Sequence, residues 1–167
     1  MLYIVFAFIM IALDQAVKYW AFTSLQAQQT IPLIENVFHL TYVENRGAAF
    51  SMFAQFDSRW IFVTLAVVIS IVIGVALYKG WMQSALGRWS LVLVGAGAIG
   101  NAIDRVMRGF VVDLFDFRLI HFPVFNVADI FICVGALLFV IYFLFLHKDE
   151  EQAGTSHNTA SERDTNE

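Results

Sequence analysis

Two stretches of the chain carry the same pattern: Asn101-Ala102-Ile103-Asp104 and Asn126-Val127-Ala128-Asp129 both read Asn-x-x-Asp, and Asp113 lies between them after Phe110-Val111-Val112. Residues three apart on a helix share a face, so each motif can present an amide and a carboxyl together. Two carboxylates brought into contact resist ionising together, because the like charge raises the pKa of one of them. One then holds a proton while the other acts as a base, an arrangement that can activate water and protonate a leaving nitrogen. Neighbouring Asn amides can orient such a pair, and Arg105 can balance its charge. The spacing does not say which carboxyl carries the proton, since a coupled pair titrates as a unit. The same residues also fit an Asp–Arg structural network, or a carboxylate site for a hard cation such as magnesium. A soft metal finds no Cys or His nearby at ligand spacing.

These groups lie among long apolar runs. From Gly95 to Asp129 the chain holds Asp104, Asp113, Asp116 and Asp129 together with Arg105, Arg108 and Arg118. An Asp at the centre of a membrane helix costs roughly 2.5–3.5 kcal/mol on an insertion scale. A chain keeps such groups when they pair, lie near the membrane surface or do chemistry. Composition agrees with a membrane setting: the chain is 59% hydrophobic and 14% charged, with mean hydropathy +0.70. Soluble domains average about 45–50% apolar and about 25% charged. The net charge of −4 belongs to the tail from His147, and the rest is balanced, which gives no sign of nucleic-acid binding. The lone Cys133 excludes an internal disulfide.

Four apolar spans are expected, at about 2–22, 60–78, 89–107 and 124–146, within one membrane domain of residues 1–147. Residues 148–167 are acidic and poor in large apolar side chains, and read as a disordered tail. In the first span Asp14 and Lys18 stand one turn apart. They form either an internal ion pair with Lys18 snorkelling outward or a device that positions a neighbouring segment. Residues 23–58 form a polar segment, in which alternation over Phe38–Val43 suggests a short strand or hairpin. Asn45-Arg46-Gly47 marks a turn, and Phe50, Met52, Phe53 and Phe56 form an apolar patch suited to the bilayer interface. Four spans bring both Asn-x-x-Asp motifs and Asp113 to one side of the membrane. Lys and Arg counts do not settle which side that is. Gly95, Gly97 and Gly100 match the dinucleotide pattern Gly-x-Gly-x-x-Gly, but no strand–turn–helix unit surrounds them. Close helix packing in lipid is the better reading of these glycines.

Together these blocks resemble a known family. Gly100-Asn101-Ala102-Ile103-Asp104-Arg105, Val111-Val112-Asp113 and Phe125-Asn126-Val127-Ala128-Asp129 are similar to signature blocks of the bacterial lipoprotein signal peptidases, signal peptidase II. So are Asp14-Gln15 with Lys18, and Asn45 with Gly47-Ala48-Ala49-Phe50, in order and with compatible spacing. The resemblance implies an all-α membrane protein of four transmembrane helices, with a small β-rich extracytoplasmic segment between helices 1 and 2. It implies an aspartic endopeptidase of the bacterial cytoplasmic membrane, with both termini cytoplasmic and the site near the extracytoplasmic surface. Its substrates would be prolipoproteins whose lipobox Cys already carries a diacylglyceryl group, cleaved just before that Cys. The catalytic pair would be Asp113 and Asp129, supported by Asp14, Asn45, Asn101, Asp104, Arg105 and Asn126. No metal or cofactor is implied, the surroundings are membrane lipids, and a monomer is expected. Arg46 departs from the pattern, where a small or polar residue is expected. Two readings from other classes compete. An ion-coupled carrier would place its carboxylates near the midplane, whereas these motifs sit at span ends. A metal-dependent lipid-headgroup enzyme would lose activity to a chelator.

Overall fold

The computed structural model describes residues 1–47 and 59–146. Four long helices dominate it: α1 (Leu2–Trp20), α2 (Arg59–Tyr78), α3 (Ala85–Met107) and α4 (Val127–Phe145). At 1.5 Å per residue such helices run about 28–35 Å, which matches a hydrocarbon core about 30 Å thick. All four are long and apolar enough to cross a membrane. Their outer faces carry large apolar side chains, as at Ile61, Leu65, Val68, Ile71 and Val72 of α2, where lipid replaces water as the solvent.

Helix α3 is the centre of the bundle and packs on the other three, most extensively on α4. Its glycines make this possible. A Cβ at Gly97 would run into the Ala128 carbonyl oxygen and lie 2.7 Å from Ile132 Cγ1, and one at Gly100 would lie 2.6 Å from the Asp14 carboxylate. The Gly-x-Gly-x-x-Gly run therefore sits inside a helix and serves close approach. Two helix boundaries differ from the sequence expectation for a local reason. The Ser84 hydroxyl caps α3 by accepting the Gly87 N–H at 3.0 Å, so the helix starts before Trp89. Asn126 caps α4, so that helix starts after Val124.

Helix α1 continues through a wide π-helical turn, Ala21–Leu25, and a short turn, Gln26–Gln28. The wide turn carries Ala21 and Leu25 into a small core with Tyr42, Val112 and Leu114. Over that core lies an antiparallel sheet in the order β1 (Thr30–Ile34), β2 (Phe38–Asn45), β3 (Val111–Phe117). The expected β-rich segment between α1 and α2 supplies β1 and β2, and a third strand joins it from between α3 and α4. Val111, Val112, Asp113 and Leu114 are all buried, so both faces of β3 are covered and the alternation that marks a half-exposed strand is missing. The Ala48–Phe50 part of the family motif, the apolar patch ending at Phe56 and the acidic tail lie outside the described residues.

Candidate active site

Helix α4 begins at the site. Asn126 Oδ1 accepts the Asp129 N–H at 3.0 Å, and Asp129 Oδ2 accepts the Asn126 N–H at 3.1 Å, a reciprocal capping box. Asp14, arriving from α1, accepts the Ala128 N–H at 2.9 Å. Otherwise orphaned N–H groups of the first turn are satisfied in this way, and carboxylates sit at the positive end of the helix.

Strand β3 supplies the other carboxyl. Asp113 pairs with Val43 of β2, just past a bulge between Leu40 and Val43. The strand end brings Asn45 alongside, and its Nδ2 donates to Asp113 Oδ2 at 2.9 Å. Asn126 Nδ2 donates to Asp113 Oδ1 at 2.6 Å, and Asn101 Nδ2 donates to Asp129 Oδ1 at 2.8 Å. Asn126 therefore holds both carboxyls, Asp113 with its side chain and Asp129 with its backbone N–H. Asn45, Asn101, Asp113, Asn126 and Asp129 form one hydrogen-bonded layer built from β2, α3, β3 and the start of α4.

Asp113 is 1% exposed. Burial pushes its carboxyl up to about 6, against the pull of the Asn45 and Asn126 amides, and the nearby Asp129 charge adds to the rise. A carboxyl in that range can gain and lose a proton near neutral pH.

The other expected residues lie one step behind or beside this layer. Asp104 is fully buried; it accepts the Val112 N–H at 3.1 Å and pairs with Lys18 at 3.3 Å and with Arg108. It thereby ties the start of β3 to α3, next to Asp113. Asp14 pairs with Lys18 at 3.0 Å while capping α4. Arg105 donates to the Asn101 carbonyl at 3.2 Å and stacks over the Phe62 ring at 4.6 Å. Its guanidinium lies within electrostatic range of Asp129 and Asp113. Asp116 points elsewhere, to Arg118 at 2.9 Å and to the Thr41 hydroxyl at 2.7 Å. Lys18 is fully buried and does not snorkel outward, because two carboxylates and an amide oxygen receive its ammonium. Gln15, which sequence reading placed only as part of a motif, donates to Asp14 and to the Gly100 carbonyl, each at 3.1 Å. Its position beside Asp14 was the available signal. A cavity of about 510 Å³ opens against Asp129, lined by Phe122, Pro123, Phe125, Ile130 and Val134.

Known proteins share this arrangement of elements. Residues 6–145 match the family model described as signal peptidase (SPase) II. A lipoprotein signal peptidase of Clostridioides difficile (strain 630) is 48% identical over 145 residues, covering 87% of this chain and 96% of the relative. One from Brevibacillus brevis is 44% identical over 135 residues, covering 81% and 89%. A bacterial membrane enzyme solved by the in meso method at 1.9 Å superposes with a TM-score of 0.79 at 29% identity, covering 86% of this chain and 93% of the other. The chain belongs to the signal peptidase II family and is a multi-pass peptidase of a bacterial membrane.

Proposed function

We propose that this peptidase removes the signal peptide from diacylglyceryl-modified prolipoproteins, cutting just before the lipidated lipobox Cys, with Asp113 and Asp129 as its acid–base pair. The observation that carries the reading is the double grip of Asn126 on both carboxyls. It brings together two acids from separate elements, with amide donors on both oxygens of each.

In the proposed reaction the ionised carboxylate takes a proton from water as the water oxygen attacks the scissile carbonyl carbon. The protonated carboxyl hydrogen-bonds the carbonyl oxygen as negative charge develops there. The tetrahedral adduct then collapses: the C–N bond breaks, the amide nitrogen receives a proton from the pair, and the signal peptide leaves as a carboxylic acid. Burial raises the Asp113 carboxyl to about 6, so it exchanges a proton near neutral pH, and the pair carries one proton as a unit. Asn45, Asn101 and Asn126 orient the pair, Asp14 and Asp104 hold the elements that bear it, and Arg105 supplies positive charge. The apolar cavity beside Asp129 would receive an acyl chain of the substrate from the bilayer. In this reading the layer lies near the extracytoplasmic surface, with both termini in the cytoplasm.

The test is cleavage by purified protein in detergent, with chelator present, of a prolipoprotein with and without its diacylglyceryl group. The expected result is cleavage of the lipidated form alone, with product masses placing the cut before the Cys. Equal cleavage of the unmodified form, or loss of cleavage on adding chelator, contradicts the reading.

A further inference from the structure

Each asparagine of the polar layer must present its NH2 end, not its carbonyl end, to a carboxylate. Reversed, an amide oxygen would face a carboxylate oxygen and repel it. In two of the three, a backbone N–H fixes the direction. The Gly47 N–H donates to Asn45 Oδ1 at 2.9 Å, and the Asp129 N–H donates to Asn126 Oδ1 at 3.0 Å. Asn101 lies inside a helix, where backbone N–H groups are committed to the helix ladder. Its Oδ1 accepts instead from Lys18 Nζ at 2.8 Å, with Asn126 Nδ2 a longer second donor at 3.2 Å.

Resting on the catalytic reading above, we propose that Lys18 is a positioning residue for the reaction: its buried ammonium holds the Asn101 amide in the one orientation that donates to Asp129.

The geometry distinguishes this from an ion pair alone. An ammonium has three protons and accepts nothing. Lys18 meets three acceptors, the Asp14 carboxylate at 3.0 Å, the Asp104 carboxylate at 3.3 Å and the Asn101 oxygen at 2.8 Å. The shortest contact goes to the neutral group, whose other end touches Asp129. A hydrogen bond from a cation is roughly twice as strong as one between neutral groups. In a site sealed from solvent it sets the amide direction firmly; Lys18 and Asp104 are fully buried and Asp14 is 1% exposed. Two carboxylates face the ammonium, and Arg108 pairs with one of them, Asp104.

The experiment is a double-mutant cycle of Lys18→Met and Asn101→Ala, read as kcat and KM for the lipidated prolipoprotein, alongside the NMR signals of the 15N-labelled Asn101 side-chain amide. Lys18→Met is expected to lower kcat on the order of 10- to 100-fold, the scale of a misplaced reacting group, with KM within about twofold. In the Asn101→Ala background the same change should cost less than about threefold, because the amide it acts through is gone. The Asn101 amide pair, assigned by its loss in Asn101→Ala, should shift or double in Lys18→Met. A folded Lys18→Met protein with wild-type kcat, losses that multiply across the cycle, or an unmoved Asn101 amide overturns the proposal. If Lys18→Met does not fold, the charge-balanced Asp14→Asn/Lys18→Met protein takes its place in the same tests. The amide signals need no substrate. Inactive wild type with a Lys18-dependent amide therefore overturns the substrate reading and leaves this one standing; active wild type with an indifferent amide does the reverse.

Discussion

The two Asn-x-x-Asp motifs have the same spacing and opposite fates. In Asn126…Asp129 the Asn is the N-cap of α4 and the Asp is its third residue, so the two side chains bond each other's backbone and the Asp remains at the open end of the helix. In Asn101…Asp104 the motif lies inside α3, where no backbone N–H is free. Asn101 turns to Asp129, and Asp104 turns to Lys18, Arg108 and the Val112 N–H. Spacing places two side chains on one face, and position along the helix decides what they meet. Asn101-x-x-Asp104 therefore supplies scaffold and, in the proposed reaction, Asn126-x-x-Asp129 supplies the reactive carboxyl.

The two aspartates separate this comparison most strongly. Asp129→Asn should lower kcat/KM by at least about 10³-fold in a protein that still folds, as loss of an acid–base group does. Asp104→Asn should act through stability instead. It strips a buried partner from Lys18 and Arg108, a loss on the order of 3–5 kcal/mol. Thermal unfolding in detergent should fall sharply while activity per folded molecule is largely kept. If Asp104→Asn folds normally and is dead, the two motifs do not divide as described.

Asp113 adds a pH signature. Burial raises its carboxyl from 3.8 to about 6 in the fold, so the folded protein holds that proton more tightly than the unfolded chain. Its contribution to stability is whole below its unfolded pKa and is lost as pH rises through about 6, on the order of 3 kcal/mol. Unfolding measured across that range should show this slope in wild type and lack it in Asp113→Asn. The smallest effect sharpens the role of Asn126. Asn126→Ser keeps a capping oxygen but removes the NH2 that Asp113 accepts. Stability should change by less than about 1 kcal/mol while kcat falls roughly tenfold, the scale of one lost hydrogen bond to a charged group. Equal kcat in the two proteins would remove Asn126 from the pair.

Much of this was legible in residue order. Trp60–Tyr78 has no charge and no competing signal, and its helix begins one residue earlier, at Arg59. Asn101, Asp113, Asn126 and Asp129 converge because four spans leave their carriers at one end of the bundle, which counting alone supplies. Strand β3 was hidden because Val111–Leu114 are buried on both faces, so period-two patterning had nothing polar to show. The burial of Lys18 was hidden for another reason: its partners Asn101 and Asp104 lie more than eighty residues away, and an i, i+4 pair with Asp14 gives a sufficient local account of it. The wide turn at Ala21–Leu25 leaves no mark in the sequence, since it changes the direction of apolar side chains without changing their type.

The central claim is that Asp113 and Asp129 work as one unit. The most direct measurement is single-turnover cleavage of the lipidated prolipoprotein by folded wild type, Asp113→Asn, Asp129→Asn and the double variant. A unit that needs both members predicts that each single change removes nearly all activity and that the double is no worse than either. Substantial cleavage by either single variant, or losses that multiply in the double, would contradict the account.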